Sequence, residues 1–135
     1  MQVVTVTVAM LVCLQVKHFI ADYLMQPKWI LMGKRSLRSG GGYVHAAVHA
    51  VGSIPALLVA GLSGLQILAF VVGEFAVHYA IDFWKACMSG RSKAGPNNYA
   101  YWAMHGFDQL LHQLTYATII FVAMWLTVGD VVPTP

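Results

Sequence analysis

Four long apolar runs, separated by short polar segments, form the main pattern of this 135-residue chain. The runs lie at about 3–25, 43–62, 65–84 and 102–128. Each is close to the ~20 residues with which an α-helix crosses the hydrocarbon core of a bilayer. The pattern therefore predicts an all-α protein, in which residues 1–135 form a single integral membrane domain, a four-helix transmembrane bundle.

A stripe of ionisable residues runs along the third apolar run. Glu74, His78 and Asp82 are spaced one helical turn apart. At helical periodicity they fall within an arc of about 80° on one face. A charged side chain that faces lipid is costly, so this stripe must face other helices. The sequence therefore predicts that the three side chains meet polar partners inside the bundle.

The other three runs carry polar residues of the same kind near one end. In chain order these residues are His18, Asp22, His45, His49, His105, Asp108 and His112. The His45 and His49 pair has the i, i+4 spacing with which two imidazoles on one helix reach one metal ion. The helical rise places all of these residues in the half of the bundle next to the first and third loops. We therefore expect one shared polar site, the alternative being scattered interhelical hydrogen bonds.

Pro55 lies inside the second apolar run. A proline inside a helix cannot donate a backbone hydrogen bond and usually kinks the helix. We therefore expect a kink in the second helix, with the Ser53 hydroxyl bonding to the backbone group that is freed.

Composition and charge distribution both fit a membrane protein. Hydrophobic residues make up 59% of the chain, charged residues only 10%, and the mean hydropathy is +0.66. Of the eight basic residues, all except Lys17 lie in or next to the first and third loops. We predict that the first loop, Pro27–Gly42, is a flexible segment. By the positive-inside rule these loops are cytoplasmic, and both termini lie on the outer side of the inner (cytoplasmic) membrane of the cell. The net charge of +3 thus reflects a multi-pass topology, and we expect no nucleic-acid partner.

The residues of the expected site have the chemistry of metal ligands. We expect no lysine or arginine at the deep levels of the bundle, so a bound cation or shared protons must offset the carboxylates. Nitrogen and oxygen ligands without thiolate suit zinc, with manganese or iron as alternatives. We predict one or two divalent ions. The predicted ligands are His18, Asp22, His45, His49, His78, Asp82, His105, Asp108 and His112.

The order of these motifs resembles that of a known family. The motifs are His-x3-Asp-Tyr-x2-Gln-x2-Trp, His-x3-His, His-x3-Asp-x2-Lys and Asp-Gln-x2-His, one for each helix in turn, between about residues 15 and 115. They resemble a family of short multi-pass membrane proteins of bacteria and phages that is catalogued as a domain of unknown function. The resemblance implies a membrane location and no established activity. It marks His18, Asp22, Gln26, His45, His49, His78, Asp82, Lys85, Asp108, Gln109 and His112.

The leading functional interpretation is an intramembrane metal-dependent hydrolase. Its site would lie at the cytoplasmic side and act on a lipid-linked or phosphate-bearing substrate. We predict Glu74 as the general base for a metal-bound water, and Lys85 as the group that neutralises a substrate phosphate. The expected partners are membrane lipids, the lipid-linked substrate and a second copy of the chain in a homo-oligomer.

Three other interpretations remain open, and so does the question of whether the chain is an enzyme. Buried His, Asp and Glu also build proton or metal-cation pathways in transporters and channel subunits, although the outer half of this bundle lacks a polar track. Histidines from two helices can ligate haem, but the neighbouring carboxylates argue against it. The chain can also be a non-enzymatic small membrane protein in which the polar cluster is structural.

Overall fold

The computed structural model describes residues 1–91 and 95–129, and nearly all of them are helical. The first helix, α1, spans Gln2–Phe19 and continues into a π-helical turn at Ile20–Leu24. The other helices are α2 (Lys28–Gly33), α3 (Gly40–Gly52), α4 (Ile54–Val59), α5 (Gly64–Arg91) and α6 (Tyr99–Gly129). The described residues contain no β-strand, so the predicted all-α class is confirmed for this part of the chain.

Within the described residues, four helical stretches are long and apolar enough to cross a membrane. They are Gln2–Leu24, Gly40–Val59, Gly64–Arg91 and Tyr99–Val128. The third stretch continues well beyond its predicted end at residue 84. Its 28 residues correspond to about 42 Å of helix, which exceeds the ~30 Å hydrocarbon core. An α5 that crosses a membrane close to its normal would therefore extend beyond the hydrocarbon region.

The second span is interrupted where Pro55 predicts a break. Ser53 separates α3 from α4, and its backbone N–H donates to Ala50 instead of continuing the helical bond to His49. The carbonyl of His49 accepts a bond from the Ser53 hydroxyl at 3.3 Å, as expected. It also accepts one from the ammonium group of Lys17 at 3.0 Å, which the sequence did not predict.

The segment Pro27–Gly42, predicted as a flexible loop, contains the short helix α2 packed against α3. A Cβ atom on Gly41 would lie 2.9 Å from the carbonyl oxygens of Trp29 and Ile30, so this contact requires glycine. Arg35 in turn contacts Gly90 near the end of α5. We call this end of the bundle, which carries α2 and the facing ends of α5 and α6, the basic end.

Apolar packing fills the opposite half of the bundle. Met10 and Leu14 of α1, Leu57 of α4 and Ala123 of α6 are completely buried there. Leu62, in the turn between α4 and α5, belongs to the same cluster. This core holds the helices together at one end and leaves the half next to the basic end for polar side chains.

Candidate metal centre

Most of the predicted polar residues are buried together in the half of the bundle next to the basic end. Asp22 and His105 are partly exposed, whereas the others are at most 5% exposed. Those buried residues are His18, His45, His49, Glu74, His78, Asp82, Asp108 and His112. Polar side chains from four spans therefore converge in one region, as the helical spacing predicts.

A first group of potential ligands consists of Asp22, His45, His49 and His78. One ligand atom from each lies within 4.8 Å of the others. Asp22 Oδ1 is 3.0 Å from His45 Nε2 and 3.2 Å from His49 Nε2. The rings of His49 and His78 stack with their centroids 3.8 Å apart. We call these four residues the Asp22 group.

A second group, His78, Asp82 and His112, adjoins the first. Asp82 Oδ1 lies 3.5 Å from His112 Nε2, and Asp82 Oδ2 lies 3.5 Å from His78 Nε2 and 3.3 Å from His45 Nε2. The two groups thus share His78, and the carboxylate of Asp82 reaches both. We call these three residues the Asp82 group.

Local helix geometry explains how Asp22 reaches the histidines. It lies in the π-helical turn Ile20–Leu24, where the backbone is wider than in an α-helix. Its Oδ2 is 3.3 Å from Nε2 of His18, one turn earlier, while Oδ1 faces α3. Asp22 therefore joins the polar face of the first span to the His45 and His49 pair.

The geometry of the Asp22 group fits a metal ion. Two ligand atoms in a tetrahedral zinc site, each about 2.1 Å from the ion, are about 3.4 Å apart. The separations of 3.0 and 3.2 Å from Asp22 Oδ1 are near this value. Moreover, Nε2 of buried His78 has no hydrogen-bond partner among the described residues. A cation bound by that nitrogen would supply the missing partner, so these buried residues can hold a metal ion.

Three lysines contact the buried acids, and the expectation that no basic residue reaches these depths is therefore wrong. The ion pairs are Lys17 with Glu74, Lys34 Nζ with Asp82 Oδ2 at 2.8 Å, and Lys85 Nζ with Asp108 Oδ2 at 2.6 Å. The long lysine side chains carry these charges to the buried acids. Of the four buried or half-buried acids, only Asp22 has ion-pair contacts with imidazoles alone among the described residues.

Five predicted site residues lie outside both groups, and one of them is Lys85, which is paired with Asp108. Glu74 is bound by Lys17, and His105 lies 3.4 Å from the Lys85 ammonium. Asp108 Oδ1 is 3.6 Å from His112 Nε2, so it adjoins the Asp82 group without joining it. His18 contacts Asp22 and the carbonyl oxygen of the Gln109 side chain, 2.9 Å from its Nε2. The metal-binding roles predicted for His18, His105 and Asp108 and the catalytic roles predicted for Glu74 and Lys85 remain predictions.

Tyr116 is a participant that the sequence did not identify. Its hydroxyl lies 2.9 Å from His18 Nδ1 and 3.3 Å from His49 Nδ1, so it joins two imidazoles. The sequence feature that could have identified it is its position one helical turn after His112, on the same face of α6. Lys34 offered no such signal, because it lies outside the predicted helices and only the packing of α2 brings it to Asp82.

A polar cavity of about 430 Å³ opens at the basic end above the two groups. Asp22 and Asp82 line it, together with Lys34, which follows α2, and Lys85 of α5. Tyr101 contributes to the wall from the beginning of α6. The cavity therefore gives a molecule outside the bundle access to one carboxylate from each group.

Comparison with known proteins identifies one family. A family model described as "Protein of unknown function (DUF3307)" matches residues 10–132. Comparisons with curated proteins and with solved structures yield no match. The matched range contains every residue of the Asp22 and Asp82 groups. The chain therefore belongs to the DUF3307 family of proteins of unknown function.

Proposed function

We propose that this protein is an intramembrane metal-dependent hydrolase that acts on a lipid-linked or phosphate-bearing substrate. The observation that carries the proposal is the Asp22 group, in which four potential ligand atoms lie within 4.8 Å of one another beneath a polar cavity. A bound transition metal lowers the pKa of a coordinated water and polarises a phosphoryl oxygen, which is the chemistry that hydrolysis requires.

Zinc is the ion that we propose. The ligand set combines imidazoles with a carboxylate, and the cysteines of the chain, Cys13 and Cys87, lie outside both groups. Such a set suits zinc, with manganese and iron as the next candidates. Because the Asp22 group by itself offers four potential ligand atoms, the number in a tetrahedral zinc site, we propose a single ion there.

The charges of the cavity favour an anionic substrate once the ion is bound. Asp22, Asp82 and Asp108 line the cavity together with Lys34 and Lys85, so carboxylates exceed ammonium groups by one. A divalent cation reverses this balance. A phosphate group would then meet the ion and the two lysines, which retains the role predicted for Lys85.

Asp108 is better placed than Glu74 to move a proton in this scheme. Each carboxylate is paired with a lysine, Glu74 with Lys17 and Asp108 with Lys85, but Glu74 does not line the polar cavity, so its predicted role as general base has no geometric support. Asp108 lines that cavity, and its Oδ1 has no hydrogen-bond partner among the described residues. We therefore propose Asp108 as the base.

We further propose that the basic end faces the cytoplasm and that both termini lie on the outer side of the inner membrane. The support is the concentration of basic residues around Lys28–Arg38, at the end where the polar cavity opens. Positive residues in short loops favour the cytoplasmic side. The proposed substrate would accordingly be reached from the cytoplasmic leaflet.

A transport function has less support. Below the polar half, the described helices are sealed by the apolar cluster around Met10, Leu57 and Ala123. A cation pathway would need polar groups through this layer. The polar cavity and the apolar cluster below it therefore fit a site with one opening better than a pathway through the bundle.

Elemental analysis of detergent-purified protein tests the metal site. We expect about one equivalent of zinc in the wild type, as in a single four-ligand site, and its loss in a His49→Ala, His78→Ala double variant. His105→Ala is the matched control, because His105 lies outside both groups, and it should retain the ion. Absence of metal from wild-type protein that has been incubated with zinc would overturn the proposal.

Hydrolysis requires a separate measurement. Wild-type protein in vesicles that contain phosphatidic acid should release inorganic phosphate in the presence of zinc and lose this activity when a chelator is added. Asp108→Asn should bind zinc but release phosphate at least about a hundredfold more slowly, as expected when a general base is removed. Zinc binding without phosphate release from any phosphorylated lipid would leave a metal-binding protein that is not this enzyme.

A further inference from the structure

A second cavity, separate from the polar one, lies between α5 and α6. It has a volume of about 730 Å³ and is lined almost entirely by apolar side chains of these two helices. The hydroxyls of Thr115 and Thr118 in its wall donate to the carbonyls of Leu111 and Leu114, each at 2.9 Å, and so present no free donor. We call this cavity the α5–α6 groove.

Small residues of α5 create the space in the groove. Gly73 lines it, and a Cβ atom on this residue would meet no other atom within 4 Å. Glu74 also lines the groove, but its side chain is only 1% exposed and is paired with Lys17. The groove therefore offers its occupant an apolar surface.

The length of the groove matches one leaflet of a membrane. Along α5 it extends from Ala69 to Ile81, which corresponds to about 18 Å of helix. One leaflet contributes about half of the ~30 Å hydrocarbon core. A single extended hydrocarbon chain therefore fits the groove from end to end.

The groove and the polar cavity follow one another along the same pair of helices. On α5 the groove ends at Ile81 and the polar cavity begins at Asp82. On α6 the groove ends at Leu111, while Asp108 and Gln109 line the polar cavity. An amphiphile that lies along this helix pair would place its apolar part and its polar part in matching surroundings.

We propose that the α5–α6 groove binds the hydrocarbon chain of a membrane lipid whose phosphate group enters the polar cavity. This inference rests on the proposed function and specifies its substrate as a lipid phosphate in place of a soluble one. Lys34 and Lys85 complement the phosphate charge at the cavity, and the groove holds the chain within the bilayer. Cleavage by water would transfer the phosphoryl group from the lipid oxygen to the oxygen of water. It would leave a lipid alcohol in the groove and release inorganic phosphate.

Photolabelling of the full-length protein in lipid nanodiscs tests the inference. The nanodiscs consist of phosphatidylcholine with a small fraction of phosphatidic acid that carries a diazirine in the middle of one chain, and mass spectrometry locates the adducts. We expect adducts on Val77 and Leu114 of the groove about tenfold above those on Leu58, an exposed residue of α4 outside it, a ratio equivalent to about 1.4 kcal/mol. Equal labelling at all of these positions would overturn the inference.

Two glycine variants provide a matched comparison. Gly73→Leu fills the groove and should reduce groove labelling about tenfold. Gly106→Leu introduces the same side chain where a Cβ atom also meets nothing within 4 Å, but outside the groove, and should leave the labelling unchanged. Both variants must retain their zinc and elute as single species in size-exclusion chromatography. A reduction in labelling can then be attributed to the filled groove and not to misfolding. If Gly73→Leu instead converts a dimer into a monomer, with no lipid adducts in the wild-type groove, the occupant is a second copy and the inference is wrong.

A diacylglycerol with the same diazirine chain but no phosphate separates the two parts of the inference. In the zinc-loaded Asp108→Asn variant, which should leave the probe intact, phosphatidic acid should label the groove severalfold more strongly than diacylglycerol, and chelation of the metal should remove this preference while chain labelling persists. Equal labelling by the two lipids before chelation would overturn the assignment of the phosphate to the polar cavity. Labelling of the groove in a protein that binds no metal would contradict the proposed hydrolase but not the binding of a lipid chain in the α5–α6 groove. The failure of one proposal can therefore be distinguished from the failure of the other.

Discussion

Asp22 is the residue on which the candidate metal centre depends most. Its carboxylate contacts His18, His45 and His49, and none of the lysines that neutralise the other acids lies within ion-pair distance of it among the described residues. A carboxylate in contact with imidazoles alone favours a cation between them. Its contribution to metal binding should therefore exceed that of any other acid in the bundle.

Replacing Asp22 with asparagine should weaken zinc binding by more than about a hundredfold, because it removes both a ligand charge and the partner of two histidines. Competition with a fluorescent zinc chelator in detergent measures this change. Asp108→Asn is the control, since Asp108 lies outside both groups, and its zinc affinity should remain near that of the wild type. An equal loss in both variants would show that the Asp22 group does not form the site.

The ion pair between Lys17 and Glu74 contributes to the fold independently of the metal. The Lys17 side chain is 10% exposed and that of Glu74 is 1% exposed, and Lys17 also donates to the freed carbonyl of His49. An unpaired buried charge is far more costly than a buried pair. This pair therefore holds α1, α3 and α5 together below the histidines.

Removing one member of this pair should destabilise the protein strongly. Lys17→Met leaves Glu74 buried without its partner and should lower the free energy of unfolding by about 3–5 kcal/mol, whereas Lys17→Met with Glu74→Gln should recover much of the loss. Unfolding in mixed micelles of increasing dodecyl sulfate content measures both changes. A double variant as unstable as the single one would contradict this account.

At the scale of residues, the sequence predicted which histidines and acids share a helix face but not the groups that complete the site. The i, i+4 spacing of His45 and His49, and of His78 and Asp82, follows from helical periodicity alone. The lysine contacts do not, because a long side chain can cross from one helix to another. Helical spacing does not predict the direction in which a lysine side chain extends.

The contact between α2 and α3 positions Lys34 of the basic end next to the candidate metal centre. Gly41 permits the backbones to approach, and Lys34, which follows α2, thereby reaches Asp82. Gly40, the preceding residue, has no atom within 4 Å of the position of a Cβ. Neighbouring glycines thus have very different roles.

An alanine at each of these two positions should separate the roles. Gly41→Ala forces α2 away from α3 and should cost about 1–3 kcal/mol of stability, the range observed for overpacking. Gly40→Ala should be neutral or stabilise the protein by up to about 1 kcal/mol, since alanine has the higher helix propensity. Thermal unfolding in detergent compares the two, and similar effects would argue against the close approach of α2.

At the scale of elements, hydrophobic length predicted the spans but missed α2 and the π-helical turn. Long apolar runs specify a helix because the bilayer requires satisfied backbone groups, whatever the neighbouring helices do. The six residues of Lys28–Gly33 and the five of Ile20–Leu24 are too short for such a signal. Their conformation depends on contacts with α3 and with the histidines, which periodicity does not reveal.

The whole molecule is divided along its length into an apolar half and a polar half. The apolar cluster lies around Met10 and Leu57, whereas the Asp22 group and the polar cavity lie next to the basic end. A site that opens at one end requires a defined orientation in the membrane. The proposed orientation places the opening in the cytoplasm.

Fusion reporters test the orientation of the whole chain. Alkaline phosphatase is active only outside the cytoplasm, so we expect activity when it follows α6 and none when it follows Ser89. Green fluorescent protein, which folds in the cytoplasm, should give the reverse pattern at the same two positions. Active phosphatase after Ser89 would place the polar cavity on the outer side of the membrane.

All members of the Asp22 group precede the last helix. The four residues come from the first span, α3 and α5, and α6 supplies none of them. During synthesis, a nascent chain would therefore carry its full set of zinc donors while α6 was still inside the ribosome. Zinc captured at that stage would fix the first three spans around the ion, and the arrival of His112 and Tyr116 would then enclose it.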